Sequence, residues 1–212
     1  MKSLLALGLF LLLVGSGTAE TNSPSAVQSG TVAAQRAALL EDDPDDPRGK
    51  RYEGSVLWQT EIRKPTGEPD APPDLVVRAD IEIPERRITI TIFIQRDLSP
   101  TRQPTSHLID ITFNLPADFP SGGIRKVWGV VMKSAEQTRG SPLGGAAEKV
   151  TTNYFLIGLA RRDMRRNLQL LKERNWFDIP ISYNNGRNAI LTIQKGEPGK
   201  RAFEKAFNSW KQ

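Results

Sequence analysis

Polar and apolar residues alternate along most of this chain, and the alternation has a period of two. Tyr52, Val56 and Trp58 share one parity, with Glu53, Ser55, Gln59 and Glu61 mostly between them. Val76 to Ile83 and Ile88 to Ile94 alternate in the same way, as a half-buried strand should. Pro84-Glu85-Arg86-Arg87 joins those two runs tightly, which predicts a hairpin. Further strands are predicted over Leu108–Leu115, over Ile124–Met132 after the Ser121-Gly122-Gly123 turn, and over Tyr154–Leu159. Trp176–Tyr183 and Asn188–Gln194 flank Asn184-Asn185-Gly186, a hairpin turn sequence. Two segments follow a helical period instead. Asp163–Arg174 repeats Met164, Leu168, Leu170 and Leu171 with arginines between them, and after Gly199 come Phe203, Ala206, Phe207 and Trp210 at i, i+3, i+4 and i+7. The expected fold is therefore mainly β: an antiparallel β-sandwich or flattened barrel of about eight strands, with a basic helix and a C-terminal amphipathic helix. That last helix is expected to cover an open edge or end of the sheet.

The first residues follow neither period. Lys2 precedes an unbroken apolar run from Leu4 to Val14, then Gly15-Ser16-Gly17-Thr18-Ala19. A charge, a short apolar core and small residues at a cleavage point have the layout of a secretory signal peptide, cut after Ala19. The run is short for a membrane span, which needs about 20 apolar residues. Residues 20–50 are expected to be a disordered or linker segment. Its first part is rich in Ser, Thr, Asn, Gly and Pro, and Glu41–Asp46 is acidic and interrupted by Pro44. Residues 51–212 then form a single β-rich domain. The address that follows is periplasmic or secreted, or membrane-anchored facing the periplasm if the leader is retained.

Composition narrows the chemistry. The chain of 212 residues has no cysteine, which removes disulfides, thiolate metal sites, a cysteine nucleophile and an acylated lipoprotein anchor. Net charge is +5, of which Lys2 in the leader supplies one, leaving +4 on the mature chain. So mild an excess suits acidic surfaces and does not mark a nucleic-acid protein. His107 is the single histidine, beside a strand entrance. Without a Gly-x-Ser-x-Gly sequence or a second ligand it reads as a loop histidine with no role, and histidine-based zinc binding is excluded. The carboxylates of Glu41–Asp46 suggest calcium, but two prolines fall in or beside the run and no glycine stands at the sixth place, so they read as solvated linker. Asp80, Glu82 and Glu85 suggest a glycosidase pair. Asp80 and Glu82 share the parity of Arg78, however, and read as the wet face of a strand. Gly122-Gly123 and the Gly140–Gly145 stretch match no phosphate-loop spacing and read as turns and a loop. Trp58, Trp128, Trp176 and Trp210 read as core or lid residues, and a carbohydrate platform would need some of them exposed together.

The densest basic cluster is Arg161, Arg162, Arg165, Arg166, Lys172 and Arg174, against only Asp163 and Glu173 in the same stretch. Arginine forks suit carboxylates and phosphates. Arg161, Arg162, Arg165, Arg166 and Arg174 are therefore the candidate partner-binding residues, and a solvated helix face is the alternative.

The C-terminal third carries a resemblance. Leu168–Arg174, Trp176–Pro180, Ile193–Gly196 and Gly199–Phe203 resemble an uncharacterised alphaproteobacterial family of exported or membrane-anchored proteins, with the similarity running from about Gln35 to Trp210. More distantly, Leu191–Gly196, Ala202-Phe203 and Ala206-Phe207 are similar to the end of the invasion-associated locus B family, although this chain lacks that family's cysteines. Those resemblances imply an envelope address and a β-rich fold, and they supply no catalytic motif. The expected function is a non-enzymatic docking module for an acidic protein or an anionic envelope component. It needs no cofactor or metal and binds no nucleic acid, and any membrane association is peripheral or through a retained leader. The alternative is a small-ligand or glycan-binding periplasmic module, and the third reading is a carboxylate-dependent hydrolase.

Overall fold

The structure, a computed structural model, describes residues 33–65, 70–99 and 104–211. The expected leader and most of residues 20–34 lie outside them. Twelve strands among the described residues form one antiparallel sheet, curled into a half-barrel. In chain order they are β1 (Gln35–Asp43), β2 (Asp46–Arg63), β3 (Asp74–Ile83), β4 (Ile88–Arg96), β5 (Thr105–Asn114), β6 (Ile124–Val127), β7 (Val131–Lys133), β8 (Ser141–Pro142), β9 (Gly145–Lys149), β10 (Tyr154–Ala160), β11 (Trp176–Tyr183) and β12 (Asn188–Gln194). Helix α1 (Met164–Glu173) precedes β11, and α2 (Gly196–Ser209) follows β12. Neighbours run β8-β7-β11-β12-β1-β2-β3-β4-β5-β10-β9, with β6 also on β11.

The mainly β, antiparallel class and the two helices agree with the sequence, while the strand count of about eight does not. Three causes account for the four extra strands. β1 and the start of β2 occupy part of the stretch expected to be linker. Ala37, Ala38 and Leu39 are all buried there, so no alternation shows. The Ile124–Met132 run breaks into β6 and β7 around Gly129, whose φ of +127° suits only glycine. β8 and β9 form where a loop was expected, from small and polar residues that carry no β signal. Nor are there two sheets, as a sandwich requires.

The two ends of the path are neighbours in the chain. Ser141-Pro142 pairs with β7, the Leu143 N–H donates to Val130 O, the Ala160 N–H donates to Gly144 O, and Gly145–Lys149 pairs with β10. One continuous segment is thus bonded to both margins of the curled sheet. Antiparallel edges left open present rows of unpaired N–H and C=O groups, and this bridge removes much of that exposure.

Alternation sorts the residues onto two faces. Val77, Ala79, Ile81 and Ile83 of β3 and Ile88, Ile90, Ile92 and Ile94 of β4 point inward and are buried. Arg78 and Asp80 face out and pair with Glu61, Gln59 and Thr91. The expected hairpins are present. Pro84–Arg86 makes a 3-10 turn closed by Arg87 in the left-handed region, and Gly186 at φ +87° turns β11 into β12. Helix α2 begins at Gly196, four residues before the expected start. Pro198 fits because the first turn of a helix has no use for its missing N–H. The helix lays Phe203 against Trp58 at 5.7 Å and Phe177 at 6.0 Å between ring centroids. Trp58 and Phe177 are 5.4 Å apart, and the Trp58 indole donates to Gln194 O at 2.8 Å.

Phe203 is 1 % exposed, so its removal leaves a cavity where β2, β11 and α2 meet. Phe203→Ala is expected to cost about 3–5 kcal/mol. Denaturant unfolding should show a lower midpoint with an unchanged slope.

Candidate binding cleft

Three residues hold the helices in place. Lys195 is fully buried, and its ammonium donates to Leu171 O at 2.8 Å and Lys172 O at 2.9 Å. A cation is favourable there because the free carbonyls at a helix C-terminus carry partial negative charge. The last turn of α1 is thereby joined to the first residues of α2, and burial lowers the Lys195 pKa to about 8. At the other end of α1, the buried Asn167 amide exchanges two 2.8 Å hydrogen bonds with the Gly144 backbone, in the segment that bridges β7 and β10. Gly196 N–H donates to Asn175 Oδ1 at 3.0 Å and fixes the junction further.

Each helix buries one stripe and leaves a second. Asn167, Leu170 and Leu171 face the core, while Met164, Leu168 and Lys172 recur every four residues on another side of α1. Ala202, Phe203 and Ala206 of α2 are buried, and Phe207 and Trp210 lie beside them. The second stripes face a cleft of about 820 Å³. Met164, Leu168, Phe207, Trp210 and Leu98 supply apolar wall, and Ser106 and His107 line it from β5. Trp210 is held by its indole N–H on Leu75 O at 2.7 Å and by ring contact with His107, centroids 5.2 Å apart.

Charge is concentrated around this apolar lining. Arg96, Arg161, Lys172 and Lys211 line the cleft together with Asp97, Glu173 and Glu204. Arg96 is tied to Asp74 at 2.8 Å. Arg161, Lys172 and Lys211 form no ion pair among the described residues. His107 is 5 % exposed, and burial, aided by the nearby Arg96 and Arg161 cations, lowers its pKa from 6.5 to about 4. The imidazole is therefore neutral near pH 7. It sits in a strand, not in the loop the sequence suggested. Ser106 Oγ lies 3.2 Å from His107 Nδ1 and also donates to Leu159 O at 3.3 Å. A base so weak gives that hydroxyl little activation.

The candidate arginines do not form one patch. Arg161 opens onto the cleft, and Arg162 pairs with its neighbour Asp163 at 3.5 Å. Arg165 is exposed, and Arg166 donates to Pro142 O at 3.0 Å. Arg174, beyond the end of α1, is half-buried with its Nε unpartnered, apart from the others. Sequence reading therefore identified Arg161 and missed Met164, Leu168 and His107 as cleft residues. The signal was present for the first two: a ten-residue helix with Leu170 and Leu171 in the core does not need Met164 and Leu168 there as well.

Other candidates serve the fold. In the acidic run Glu41 is buried, accepts from Tyr183 Oη at 2.7 Å and pairs with Arg86 at 3.1 Å. Asp43 pairs with Lys50 at 2.7 Å and Asp46 with Arg48 at 2.9 Å, so this stretch is a strand and hairpin, not a solvated linker. Asp80 lies in the Arg78 network on the outer face, and Glu82 is exposed beside it. Trp58 and Trp176 are buried, Trp210 lines the cleft, and Trp128 is exposed. No helix among the described residues is long and apolar enough to cross a membrane.

Two outcomes follow from these burials. Between pH 6.5 and 4 the unfolded chain carries a proton on His107 that the folded protein lacks. Stability contributed by this group is complete above pH 6.5 and falls by about 3 kcal/mol as pH drops to 4. His107→Phe should flatten that part of the pH–stability curve measured by denaturant unfolding. Arg86→Met leaves Glu41 buried with its charge uncompensated, which costs about 3–5 kcal/mol at neutral pH. Adding Glu41→Gln should recover part of that loss.

No protein-family model matches the chain, and neither a curated protein nor a solved structure does.

Proposed function

We propose that this protein is a non-enzymatic binding module of the cell envelope that takes a small amphipathic anion into the cleft between α1 and α2. One observation carries the reading: Arg161, Lys172 and Lys211, which form no ion pair among the described residues, line one cleft with a wall of Met164, Leu168, Phe207 and Trp210. A hydrocarbon or ring system gains free energy by leaving water for such a wall, about 25 cal/mol per Å² of apolar area buried. Its acidic group gains by meeting a guanidinium or ammonium at the mouth. The volume of about 820 Å³ lies in the range of small-molecule sites, about 300–1,000 Å³. Support for the envelope address comes from the leader pattern of residues 1–19 and from the resemblance to exported proteins. Of the expected docking residues, Arg161 belongs to this site, while Arg165 and Arg166 stand outside it.

Decanoate tests the reading, with decanol and decylammonium as matched probes and tryptophan fluorescence and calorimetry as readouts. Decanoate is expected to bind most tightly. Arg161→Glu with Lys172→Glu should weaken it at least about tenfold, since a charge-assisted hydrogen bond is worth about 1.5–3 kcal/mol. Leu168→Asp should weaken all three probes, and Arg165→Glu with Arg166→Glu should change none. Equal affinity for decanol and decanoate would remove the anion from the proposal. Absence of binding by all three, with an acidic protein lost from envelope pull-downs of the Arg165/Arg166 variant, would restore macromolecular docking as the function.

A further inference from the structure

The outer face of the sheet holds a second feature that neither the core nor the cleft uses. Trp128, just after β6, is 58 % exposed, yet its ring is fixed. Its backbone N–H donates to Pro180 O at 2.9 Å, and its indole N–H donates to Ser182 Oγ at 2.9 Å. Ser182 is fully buried and donates in turn to Asn188 Oδ1 at 2.7 Å. An exposed indole usually retains rotamer freedom that a ligand must remove. Here the fold has removed it in advance, which lowers the cost of binding.

Trp128 borders a hollow of about 730 Å³. Register explains its base. Leu40 of β1 lies opposite Ile190 of β12, and Ile190 lies opposite Pro180 of β11, so three apolar side chains cross the strands in one row. Both Leu40 and Ile190 are more than a third exposed. Asp42, Asp46, Arg48 and Asn188 add hydrogen-bonding groups to the same hollow.

Electrostatics selects among ligands. The Lys126 ammonium stands 3.5 Å from the Trp128 ring centroid, in the position that a ligand cation would take over the ring. A second cation is repelled there. Asp42 and Asp46 on the rim repel an anion, and Arg48 already satisfies Asp46 at 2.9 Å. What remains is an uncharged molecule with a flat C–H face for the indole face that Lys126 leaves uncovered, and hydroxyls for the Asp42 carboxylate, the Asn188 amide and Arg48. We propose that this hollow is a subsite for a neutral saccharide chain of hexose or N-acetylhexosamine units, with Trp128 as the stacking residue. It is separate from the α1–α2 cleft and does not depend on the ligand proposed there. It also needs only one exposed tryptophan, held still, in place of the several that a broad platform would use.

The full mature chain, labelled with ¹⁵N, can be titrated with β-1,4-linked hexasaccharides of glucose and of N-acetylglucosamine while the four indole N–H signals are followed. One saccharide is expected to shift the Trp128 signal and leave those of Trp58, Trp176 and Trp210 in place. Trp128→Ala should weaken that saccharide at least about tenfold and Trp128→Phe by less, because a smaller ring keeps part of the stacking face. Decanoate should not move the Trp128 signal. Failure of both hexasaccharides to shift Trp128 at about 10 mM, well above the range of weak specific binding, overturns the proposal. So does an unchanged affinity in Trp128→Ala, once its unfolding midpoint shows that it is folded.

Discussion

The meeting of Trp58, Phe177 and Phe203 is the contact on which the rest of the molecule depends. A curled antiparallel sheet has an apolar inner face that must be covered, and a half-barrel does not close tightly enough to cover it alone. Phe203 brings α2 onto β2 and β11, and Lys195, at the start of that helix, grips the last carbonyls of α1. Both helices are thereby held over the same inner region. Their remaining apolar stripes, Met164 with Leu168 and Phe207 with Trp210, then line the same cleft. The cleft is a consequence of how the core is completed.

Closure of the sheet follows a similar economy. The segment from Ser141 to Lys149 serves both margins, and Asn167 ties α1 to its midpoint at Gly144. A polar residue in the middle of a helix is weakly unfavourable there. Its two bonds to one backbone unit explain why it is tolerated. The same segment, the same helix and the cleft wall are therefore mechanically connected, and Arg166 adds a further tie from α1 to that segment through Pro142 O. The opposite face of the sheet is organised by side-chain pairs. Charged residues such as Arg78, Glu61 and Asp80 form networks over β2 and β3, whereas the β11–β12–β1 region is paved by Pro180, Ile190 and Leu40 beside a fixed Trp128.

Much of this architecture is legible in the chain. Strict alternation over Ile88–Ile94 and Val76–Ile83 has one stable solution, a half-buried antiparallel hairpin, because side chains on a strand point to opposite faces in turn. Asn184-Asn185-Gly186 supplies a residue that tolerates positive φ where the turn demands it. The helical periods of α1 and α2 locate both helices to within a few residues. Other parts left no such trace. Ala37-Ala38-Leu39 is buried on both faces, so its period is erased, and β8 and β9 are strands only because two sheet margins supply partners for their backbones.

Local sequence thus determined the strand-forming runs, the helices, their apolar stripes and the absence of thiol chemistry, since each depends on spacing or on residue type alone. Tertiary structure decided what those features do. It turned Glu41 from a solvated acid into the buried partner of Arg86 and Tyr183, and His107 from a loop residue into a neutral group on the cleft lining. It also divided one run of arginines among the cleft, the surface and a backbone carbonyl. The physical reason is that burial, charge pairing and access to a ligand depend on neighbours distant in the chain, such as Glu41 and Tyr183, 142 residues apart. Those neighbours exist only once the sheet has curled.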